Sequence, residues 1–385
     1  PIRDYLESVH ERFWIFHPER PFYQALSVNT DETASVFSAS KLNSAIAESN
    51  NKPRLFAARS GEEKERLTNS EAARWLLHVN AFDDSSNERG KSKKINASSG
   101  KKLAGIGWLG NLGIIAVHGK NLFEDLLLNY IALNYGGNSV WEEEKPIWEE
   151  KVRSRPRVEI AMPDNLAALY TLQSRRVMLV RSEGFVTAYR ICGGDFFTSE
   201  NAFLEPMTIW RVDREASKGG NEVCKPKAHN YAAQMWREFS VCFDFGDGNH
   251  TPGIGWINYI KKEGLIDKTR LISFRICSVQ YDTMKSCYTN ILSDSLTFHT
   301  DLITEVGEHW RDKIETEIQN CGETAKEVKN LAVNIEIAAG ADDESAKKCA
   351  AVARAQEQFY YEIDAPFRSW LESIDPTWAI SSEQE

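Results

Sequence analysis

Apolar residues recur every three or four positions through residues 301–385, a spacing typical of helices that bury one face. In the first half of this stretch, the apolar positions are Leu302, Val306, Trp310, Ile314, Ile318, Val328, Leu331 and Ile335. After the turn at Gly340, they are Ala346, Ala350, Ala353, Phe359, Ile363, Phe367 and Trp370. The pattern predicts two long antiparallel helices, with a kink at Pro366 or a break after Asp364.

Two helices leave much of this apolar surface uncovered, and the common solution is a bundle of four helices. We therefore expect residues 301–385 to form a helical bundle domain of the four-helix type, of which this chain holds the first two helices. Either the bundle is incomplete in this chain or a partner supplies the missing faces.

Residues 1–300 carry a mixture of helical and strand-like patterns. The clearest strand signal lies at 174–192, where apolar and polar residues alternate on both sides of Ser182-Glu183-Gly184 and predict a β-hairpin. Residues 122–130 predict a buried helix. We expect an α+β fold, with a large mixed α/β N-terminal domain at 1–300 followed by the helical bundle. A length of 385 residues agrees with two domains.

A helix between two loops within residues 51–113 is the strongest indication of function. Thr68 and Glu71 have the spacing of a capping box, and the apolar positions that follow predict an amphipathic helix. The loop after this helix, residues 87–100, has no acidic residue beyond Glu88. Its cations are Arg89, Lys91, Lys93 and Lys94. The arrangement favours a nucleic-acid contact surface over a catalytic pocket, although such a loop can also be only a solvated connection.

The formal net charge of the chain is −10, from 46 Lys and Arg against 56 Asp and Glu. Proteins that coat nucleic acid are usually basic, so any contact with nucleic acid must be local. No apolar run reaches the roughly 18 residues that a membrane-spanning helix needs, and no secretory signal is visible. We expect a cytoplasmic protein without membrane contact.

The seven cysteines are an odd number, and no two of them are spaced as Cys-x-x-Cys. This pattern argues against both a disulfide framework and a zinc site. We expect reduced, mostly buried thiols, and we predict neither a metal nor a cofactor.

Two short motifs suggest other chemistry. Residues 105–110 match G-x-G-x-x-G, but a basic stretch precedes them and a strand-like run follows, whereas a dinucleotide-binding motif joins a strand to a helix. Asp244, Asp247 and His250 could together hold a cation, which would mark a metal-dependent enzyme. A tight turn rich in Asp, Gly and Asn is the favoured interpretation of that segment.

Several blocks of the sequence resemble CasA, the family of large subunits of type I-E CRISPR Cascade complexes. The resemblance spans most of residues 10–300 and is looser in the terminal helices. The blocks that carry it are 17–24, 55–59, 71–83, 105–113, 172–176 and 205–211.

The resemblance implies a non-enzymatic subunit of an RNA-guided surveillance complex. Such a subunit recognises the protospacer-adjacent motif on double-stranded target DNA, helps to open the duplex for pairing with the guide RNA, and recruits the helicase-nuclease. The implied partners are target DNA, guide RNA, the other Cascade subunits and the helicase-nuclease effector. Members of the family extend beyond both ends of this chain. Some hold zinc with cysteine pairs that this chain lacks, so no metal is implied.

The resemblance also assigns roles to individual residues. It places the motif-sensing loop at Phe56, Ala57 and Ala58, where backbone groups must face the minor groove because neither alanine offers a polar side chain. It places a glycine-rich loop loosely between Gly90 and Gly100, over the cationic cluster.

A wedge that separates base pairs falls on Gln280, preceded by Val279 where relatives have Asn. A cation near the minor groove falls on Arg190, with Lys225 as a rival. Three classes of function remain open: a DNA-reading assembly subunit, a metal-dependent enzyme built on the 244–250 segment, and a scaffold whose helices bind only proteins.

Overall fold

The computed structural model describes residues 2–29, 34–46, 56–85, 105–131, 146–149, 158–160, 166–197, 205–220, 223–243, 249–267, 270–303 and 307–376. Short helices and small, mainly antiparallel sheets are followed by long helices near the C-terminal end, which confirms the predicted α+β class. Within the described ranges, no helix combines the length and apolar content needed to cross a bilayer.

The α-helices in these ranges are α1 (Ile2–Ser8), α2 (Leu26–Asn29), α3 (Ala39–Leu42), α4 (Asn69–Ala81), α5 (Leu122–Leu128), α6 (Leu166–Tyr170), α7 (Phe239–Phe243), α8 (Pro252–Lys262), α9 (Glu308–Ala338), α10 (Asp343–Lys347) and α11 (Ala350–Ser373).

The strands are β1 (Ser35–Ser38), β2 (Ile115–His118), β3 (Glu159–Ile160), β4 (Arg175–Ser182), β5 (Phe185–Gly193), β6 (Phe196–Phe197), β7 (Trp210–Val212), β8 (Cys224–Pro226), β9 (Asn249–His250), β10 (Leu271–Tyr281) and β11 (Tyr288–His299).

The chain divides into two compact units, and each unit is assembled from separate stretches of sequence. The first unit contains residues 1–113, 136–228 and 278–292. The second unit contains residues 114–135, 229–277 and 293–385. The second unit joins the helices α9, α10 and α11 to segments that come earlier in the chain. The domain boundary expected near residue 300 stays a prediction.

The central sheet of the first unit is built on the predicted hairpin. Strands β4 and β5 pair antiparallel, and β1 adds to the other edge of β5. At the turn between β4 and β5, Glu183 and Gly184 both have positive φ angles, 51° and 87°, as a tight two-residue hairpin turn requires. The hairpin prediction is confirmed.

Helix α4 packs on this sheet and begins with the predicted capping box. The backbone N–H of Glu71 donates to Thr68 Oγ1 at 3.3 Å, and Thr68 N–H donates to Glu71 Oε2 at 2.8 Å. The buried face of α4 carries Ala72, Leu76 and Val79, which join the core formed with β4 and β5. The first unit therefore holds α4 as a fixed support for the segments at both of its ends.

In the second unit, the predicted pair of long helices is present as α9 and α11, joined through α10. The turn after α9 has Gly340 at φ 105°, a conformation that favours glycine. Trp236 stacks on Phe367 of α11 with ring centroids 4.1 Å apart and donates its indole N–H to Asp364 at 2.8 Å. The prediction of a four-helix arrangement stays a prediction.

Of the two outcomes predicted at Pro366, the break after Asp364 is wrong, because α11 continues through Pro366 to Ser373, and the kink stays a prediction. A proline inside a helix costs about 3 kcal/mol through a lost hydrogen bond and a steric clash. Tertiary contacts flank the proline on its C-terminal side: Phe367 is buried, and Arg368 pairs with Asp294 at 2.9 Å. These contacts hold the helix in register past the proline.

Helix α5 forms where the sequence predicts it, but it is not buried. Its apolar side chains at Leu122, Phe123 and Leu126 expose 72%, 66% and 64% of their surface, while Leu128 is buried. The helix is fixed instead by polar contacts such as Asn129, whose side chain bonds both the N–H and the C=O of Val117. Apolar periodicity predicts the helix but does not reveal which of its faces a neighbour covers.

Candidate nucleic-acid interface

The segment before α4 presents an aromatic side chain to solvent. Phe56 is 89% exposed, Ala57 is half-buried and Ala58 is exposed. Arg59, next in the chain, forms an ion pair with Glu71 and donates to the carbonyl of Arg66 at 3.1 Å. The loop is therefore tied to the first turn of α4 immediately after the exposed residues.

The carboxylate that receives Arg59 is held in its charged form. The pKa of Glu71 is lowered, first by the hydrogen bond from the backbone N–H of Thr68 and then by the Thr68 hydroxyl and the Arg59 guanidinium. Glu71 thus caps α4 and anchors the loop at the same time, and both contacts persist at neutral pH.

At the other end of α4 lies the turn that joins β10 to β11, residues 282–287. The Asp282 carboxylate accepts from the backbone N–H and the hydroxyl of Ser286, at 2.6 and 2.8 Å. Lys285 has a φ of 53° and donates its backbone N–H to Asp282 O at 2.9 Å. Met284 projects from this ordered turn with 75% of its surface exposed.

Three contacts attach this turn to the C-terminal end of α4 and its surroundings. The hydroxyl of Tyr281 donates to the carbonyl of Phe82, which caps α4. The backbone N–H of Ser85 donates to Lys285 O at 2.8 Å, and Lys285 Nζ lies 3.0 Å from Asn111 Oδ1. The hairpin tip therefore lies beside Ser85, the last described residue before the cationic segment, residues 86–104.

Described residues just after the cationic segment contact the same region. The N–H of Gly107 donates to the carbonyl of Asp83 at 2.8 Å. A Cβ atom on Gly107 would overlap the backbone of Ala81 and Phe82, and one on Gly110 would overlap the Tyr281 hydroxyl. The glycines of the G-x-G-x-x-G match thus permit close packing of backbone, and a short 3-10 turn at Trp108–Asn111 stands where a dinucleotide-binding helix would begin.

The predicted cationic and glycine positions, Arg89, Gly90, Lys91, Lys93, Lys94 and Gly100, lie outside the described residues. Their flanking residues, Ser85 and Gly105, are described. The assignment of phosphate contacts to these cations stays a prediction.

The two residues predicted to form the wedge are successive residues of β10 and differ in burial. Val279 is buried, with 9% of its surface exposed, whereas Gln280 is half-buried at the end of β10. Successive residues of a strand point to opposite faces, so the two side chains cannot face one duplex together. The burial of the Val279 side chain argues against its part in the wedge, and the assignment of the wedge to Val279 and Gln280 stays a prediction.

The two candidates for the minor-groove cation differ in their surroundings. Arg190 lies in the middle of β5, half-buried, with Val36 and Met178 as its cross-strand neighbours. Lys225 forms an ion pair with Asp213, and this contact is the first cause of the lowered pKa of Asp213. The Lys225 cation is therefore already neutralised locally, which makes it the weaker of the two candidates.

Helix α4 sets the distance between the loop tied to its first turn and the β10–β11 turn attached at its other end. The contact of Arg59 at Glu71 and the contact of Tyr281 at Phe82 are separated along the helix by about 17 Å, at about 1.5 Å per residue. Duplex DNA rises about 3.4 Å per base pair, so the two contacts span about five base pairs. This spacing allows both ends of α4 to face one short stretch of duplex.

Of the segment proposed for metal binding, 244–250, the structure describes the backbone of the last two residues. Asp244 and Asp247, and the side chain of His250, lie outside the described residues. Among the residues that the structure does describe, no group of His, Cys, Asp or Glu could hold a metal ion. All seven cysteines are free thiols; Cys192, Cys224 and Cys242 are buried, and Cys277 is exposed.

Sequence reasoning missed Tyr281, Met284 and Lys285, although a signal for them exists. Residues 282–286, Asp-Thr-Met-Lys-Ser, separate two strand-like runs and have the polar composition of a turn. An exposed methionine at the tip of a hairpin could have been proposed from that pattern. The contact of the tip with Ser85 could not, because it joins residues 200 positions apart.

Comparisons with known proteins agree with one another. A family model described as "CRISPR-associated protein Cse1" matches residues 1–384. A protein named CRISPR-associated protein CasA/Cse1 from Thermus thermophilus is 29% identical over 245 residues, which cover 63% of this chain. The chain spans only 44% of that curated relative.

Solved structures give the same result for the fold. The crystal structure of Thermobifida fusca Cse1 superposes with a TM-score of 0.83 at 27% identity, covering 100% of this chain and 72% of that one. Cse1 from Acidimicrobium ferrooxidans gives a TM-score of 0.75 at 24% identity, with coverage of 97% and 72%. A chain in a structure titled "CRISPR RNA-guided surveillance complex" shares the fold at a TM-score of 0.60 and 16% identity, with coverage of 95% and 78%.

Proposed function

Because the chain belongs to the family of CRISPR-associated protein Cse1, we propose that it is a non-catalytic subunit of an RNA-guided CRISPR surveillance complex. In that complex it recognises the protospacer-adjacent motif on double-stranded DNA, helps to open the duplex for the guide RNA, and recruits the helicase-nuclease. The protein reads a short motif, while base pairing with the guide reads the remaining sequence.

One observation supports the DNA-reading role above the others. The hydrogen bond from Ser85 N–H to Lys285 O, at 2.8 Å, joins the root of the cationic segment to the tip of the β10–β11 hairpin. Lysines that neutralise phosphates and a side chain that enters the base stack must act on the same duplex. Their supports are hydrogen-bonded to each other within one compact unit.

The opening of the duplex is assigned to the hairpin tip. Architectural DNA-binding proteins insert apolar side chains, including methionine, between base steps, at a cost of a few kcal/mol for unstacking. Met284 is apolar and 75% exposed, and its turn is ordered by Asp282. We assign the wedge to Met284, with the half-buried Gln280 as a polar contact behind it.

The motif itself is assigned to the loop at Phe56. Its exposed ring and the backbone of Ala57 and Ala58 lie at the first turn of α4, which is tied down by Arg59. The minor groove presents only a degenerate pattern of acceptors and one donor, so backbone contacts there give a relaxed motif preference.

The phosphate contacts are tested by reversing three lysines in the assembled complex. Lys91→Glu, Lys93→Glu and Lys94→Glu together should weaken binding of a matched target duplex about tenfold or more at physiological salt, because each lysine neutralises a phosphate. The measurement is a filter-binding or fluorescence titration. As a matched control, Lys262→Glu, Lys326→Glu and Lys329→Glu change the net charge equally at exposed sites. Unchanged target affinity in the first variant would overturn the assignment.

The wedge is tested on the same hairpin. Met284→Ala should reduce opening of base pairs beside the motif, measured by fluorescence of 2-aminopurine placed there, while leaving initial binding of the motif nearly intact. Ile291→Ala is the control, since it removes an exposed apolar side chain, 63% exposed, from the same hairpin away from its tip. Equal opening by the two variants would return the wedge role to Gln280.

A scaffold that binds only proteins is the second candidate, and the exposed apolar side chains of α5 favour it. It predicts that neither set of substitutions changes target binding, while complex assembly depends on Leu122, Phe123 and Leu126. The metal-dependent enzyme at 244–250 predicts a bound cation, which elemental analysis of the purified protein detects directly.

A further inference from the structure

We propose that Arg175 is a positioning residue: its buried guanidinium holds the two ends of the cationic segment at a fixed separation beside the hairpin tip. The consequence for DNA rests on the proposed function, whereas the anchoring itself does not.

The guanidinium lies between the two ends of the segment. Arg175 has none of its surface exposed. Its Nη2 atom donates to Asp84 O at 3.1 Å and to Gly105 O at 2.5 Å. One nitrogen therefore joins the last described residues before the segment to the first described residue after it.

Arg175 is itself held by Ser174, by Asn80 of α4 and by Asp83 just after that helix. Its Nη1 donates to Ser174 Oγ at 3.2 Å, and its backbone N–H donates to Asn80 Oδ1 at 2.9 Å. Its Nε lies 3.7 Å from Asp83 Oδ2, and both side chains of this pair are buried. The guanidinium thus has a fixed place from which to bind the two carbonyls.

Burial makes these two hydrogen bonds difficult to give up. A buried guanidinium whose donors lose their acceptors has a desolvation cost that a surface arginine does not have. Releasing either Asp84 or Gly105 from Arg175 is therefore more unfavourable than breaking an ordinary surface contact. The burial of the Arg175 charge and the positions of Asp84 and Gly105 therefore depend on each other.

The position of Arg175 links it to the rest of the candidate interface. Asp83, which pairs with Arg175, also accepts the N–H of Gly107 at 2.8 Å, and Ser85 is bonded to the hairpin tip. Fixing Asp84 and Gly105 leaves less conformational entropy to be lost at these flanking residues when a duplex binds. Arg175 thereby increases DNA affinity without touching DNA.

Lysine cannot replace arginine at this position. The planar guanidinium offers five donors on three nitrogens, whereas a lysine ammonium offers three donors on a single nitrogen. A lysine side chain here would keep the charge near Asp83 but could not also bind Ser174, Asp84 and Gly105 in the observed geometry. The substitution Arg175→Lys is thus a mild test of positioning that preserves the cation.

The neighbouring Arg176 provides a matched control. It is equally buried, follows Arg175 in β4, and pairs with the buried Asp195 at 3.2 Å. This ion pair joins Arg176 to the segment that follows β5, on the opposite face of the strand from Arg175. Arg175→Met and Arg176→Met should therefore cost similar global stability while differing in their effect on the cationic segment.

The experiment measures hydrogen exchange of single backbone amides in the full chain. Ser85 and Gly107 donate to Lys285 and Asp83, and their exchange reports the two anchored ends. The amides of Leu67 and Val186, which bond each other at 3.0 and 2.8 Å, report the core of the same unit. In Arg175→Met and Arg175→Lys, exchange at Ser85 and Gly107 should rise about tenfold relative to the core pair, as local opening predicts.

Arg176→Met should either raise hydrogen exchange equally at these four amides or leave all four unchanged. The proposal is overturned if Arg175→Lys leaves Ser85 and Gly107 as protected as in the unsubstituted chain, or if both methionine variants give the same pattern. Target affinity of the assembled complex is measured in parallel. Faster exchange at Ser85 and Gly107 with unchanged target affinity would support the anchoring by Arg175 and contradict the DNA-reading role. Failure of the anchoring and failure of the proposed function therefore give different results.

Discussion

His78 is a half-buried titratable side chain on helix α4, beside the candidate interface. Its ring lies among three aromatic rings, with centroid distances of 5.2 Å to Trp75, 5.9 Å to Phe82 and 6.2 Å to Tyr288. Burial lowers the pKa of His78 to about 4, because the charged imidazolium loses its hydration. The side chain is therefore neutral at pH 7 and acts as an aromatic packing residue.

The lowered pKa predicts a loss of stability in mild acid. In the unfolded chain the pKa of histidine is about 6.5, so the unfolded state binds more protons than the folded state between about pH 6.5 and 4. Stability from this group is complete above about pH 6.5 and declines as the pH falls towards 4, by at most about 3 kcal/mol. We expect His78→Phe to reduce the difference in urea midpoint between about pH 7 and pH 4.5.

The comparison of His78→Phe with the unsubstituted chain isolates this group from the carboxylates that titrate in the same range. An identical pH dependence with and without His78 would contradict the neutral state of the ring.

At the scale of elements, α9 contains a glycine with no structural reason to be there. Gly322 lies inside a helix of 31 residues, and a Cβ atom added to it meets no heavy atom within 4 Å. Glycine in a helix interior is less favourable than alanine by about 0.5–1 kcal/mol. Gly322→Ala should raise the free energy of unfolding by about that amount, measured by thermal or urea denaturation.

Gly107 provides the opposite case beside α4. A Cβ atom there would overlap the backbone of Ala81 and Phe82, so Gly107→Ala must displace the chain where the cationic segment returns. We expect Gly107→Ala to lower the free energy of unfolding by about 1–3 kcal/mol.

The prediction for Gly322 has the opposite sign. A loss of stability in Gly322→Ala would show that some contact of α9 depends on glycine.

At the scale of the whole molecule, a net charge of −10 must be reconciled with the proposed binding to a polyanion. Long-range repulsion is screened at physiological salt within about 8 Å, so the proposal assigns the affinity to short-range lysine contacts. Each phosphate neutralised contributes about 0.9 to the slope of log affinity against log salt concentration.

Neutral substitutions at the cationic segment should therefore reduce the salt dependence of target binding. Lys91→Ala, Lys93→Ala and Lys94→Ala together should decrease the slope of the assembled complex by up to about 2.7, if each lysine contacts one phosphate. The measurement is a series of target titrations between low and moderate salt. A slope equal to that of the unsubstituted complex would assign the phosphate contacts to other residues.

Local sequence determined much of the architecture. The capping box at Thr68 and Glu71, the two-residue turn at Glu183-Gly184, and the long helices α9 and α11 each depend on residues close together in the chain. Caps, turn conformations and apolar periodicity act within one or two turns of backbone, so they can be recognised without a fold. Short blocks of the sequence were also enough to indicate the family.

Only the tertiary structure decided which surfaces are covered and which distant residues meet. It buried Val279, exposed the apolar face of α5, and carried α11 through Pro366. It also brought Arg175 under both ends of the cationic segment. Burial and long-range hydrogen bonds depend on the packing of residues far apart in the sequence, which local propensity and periodicity do not encode.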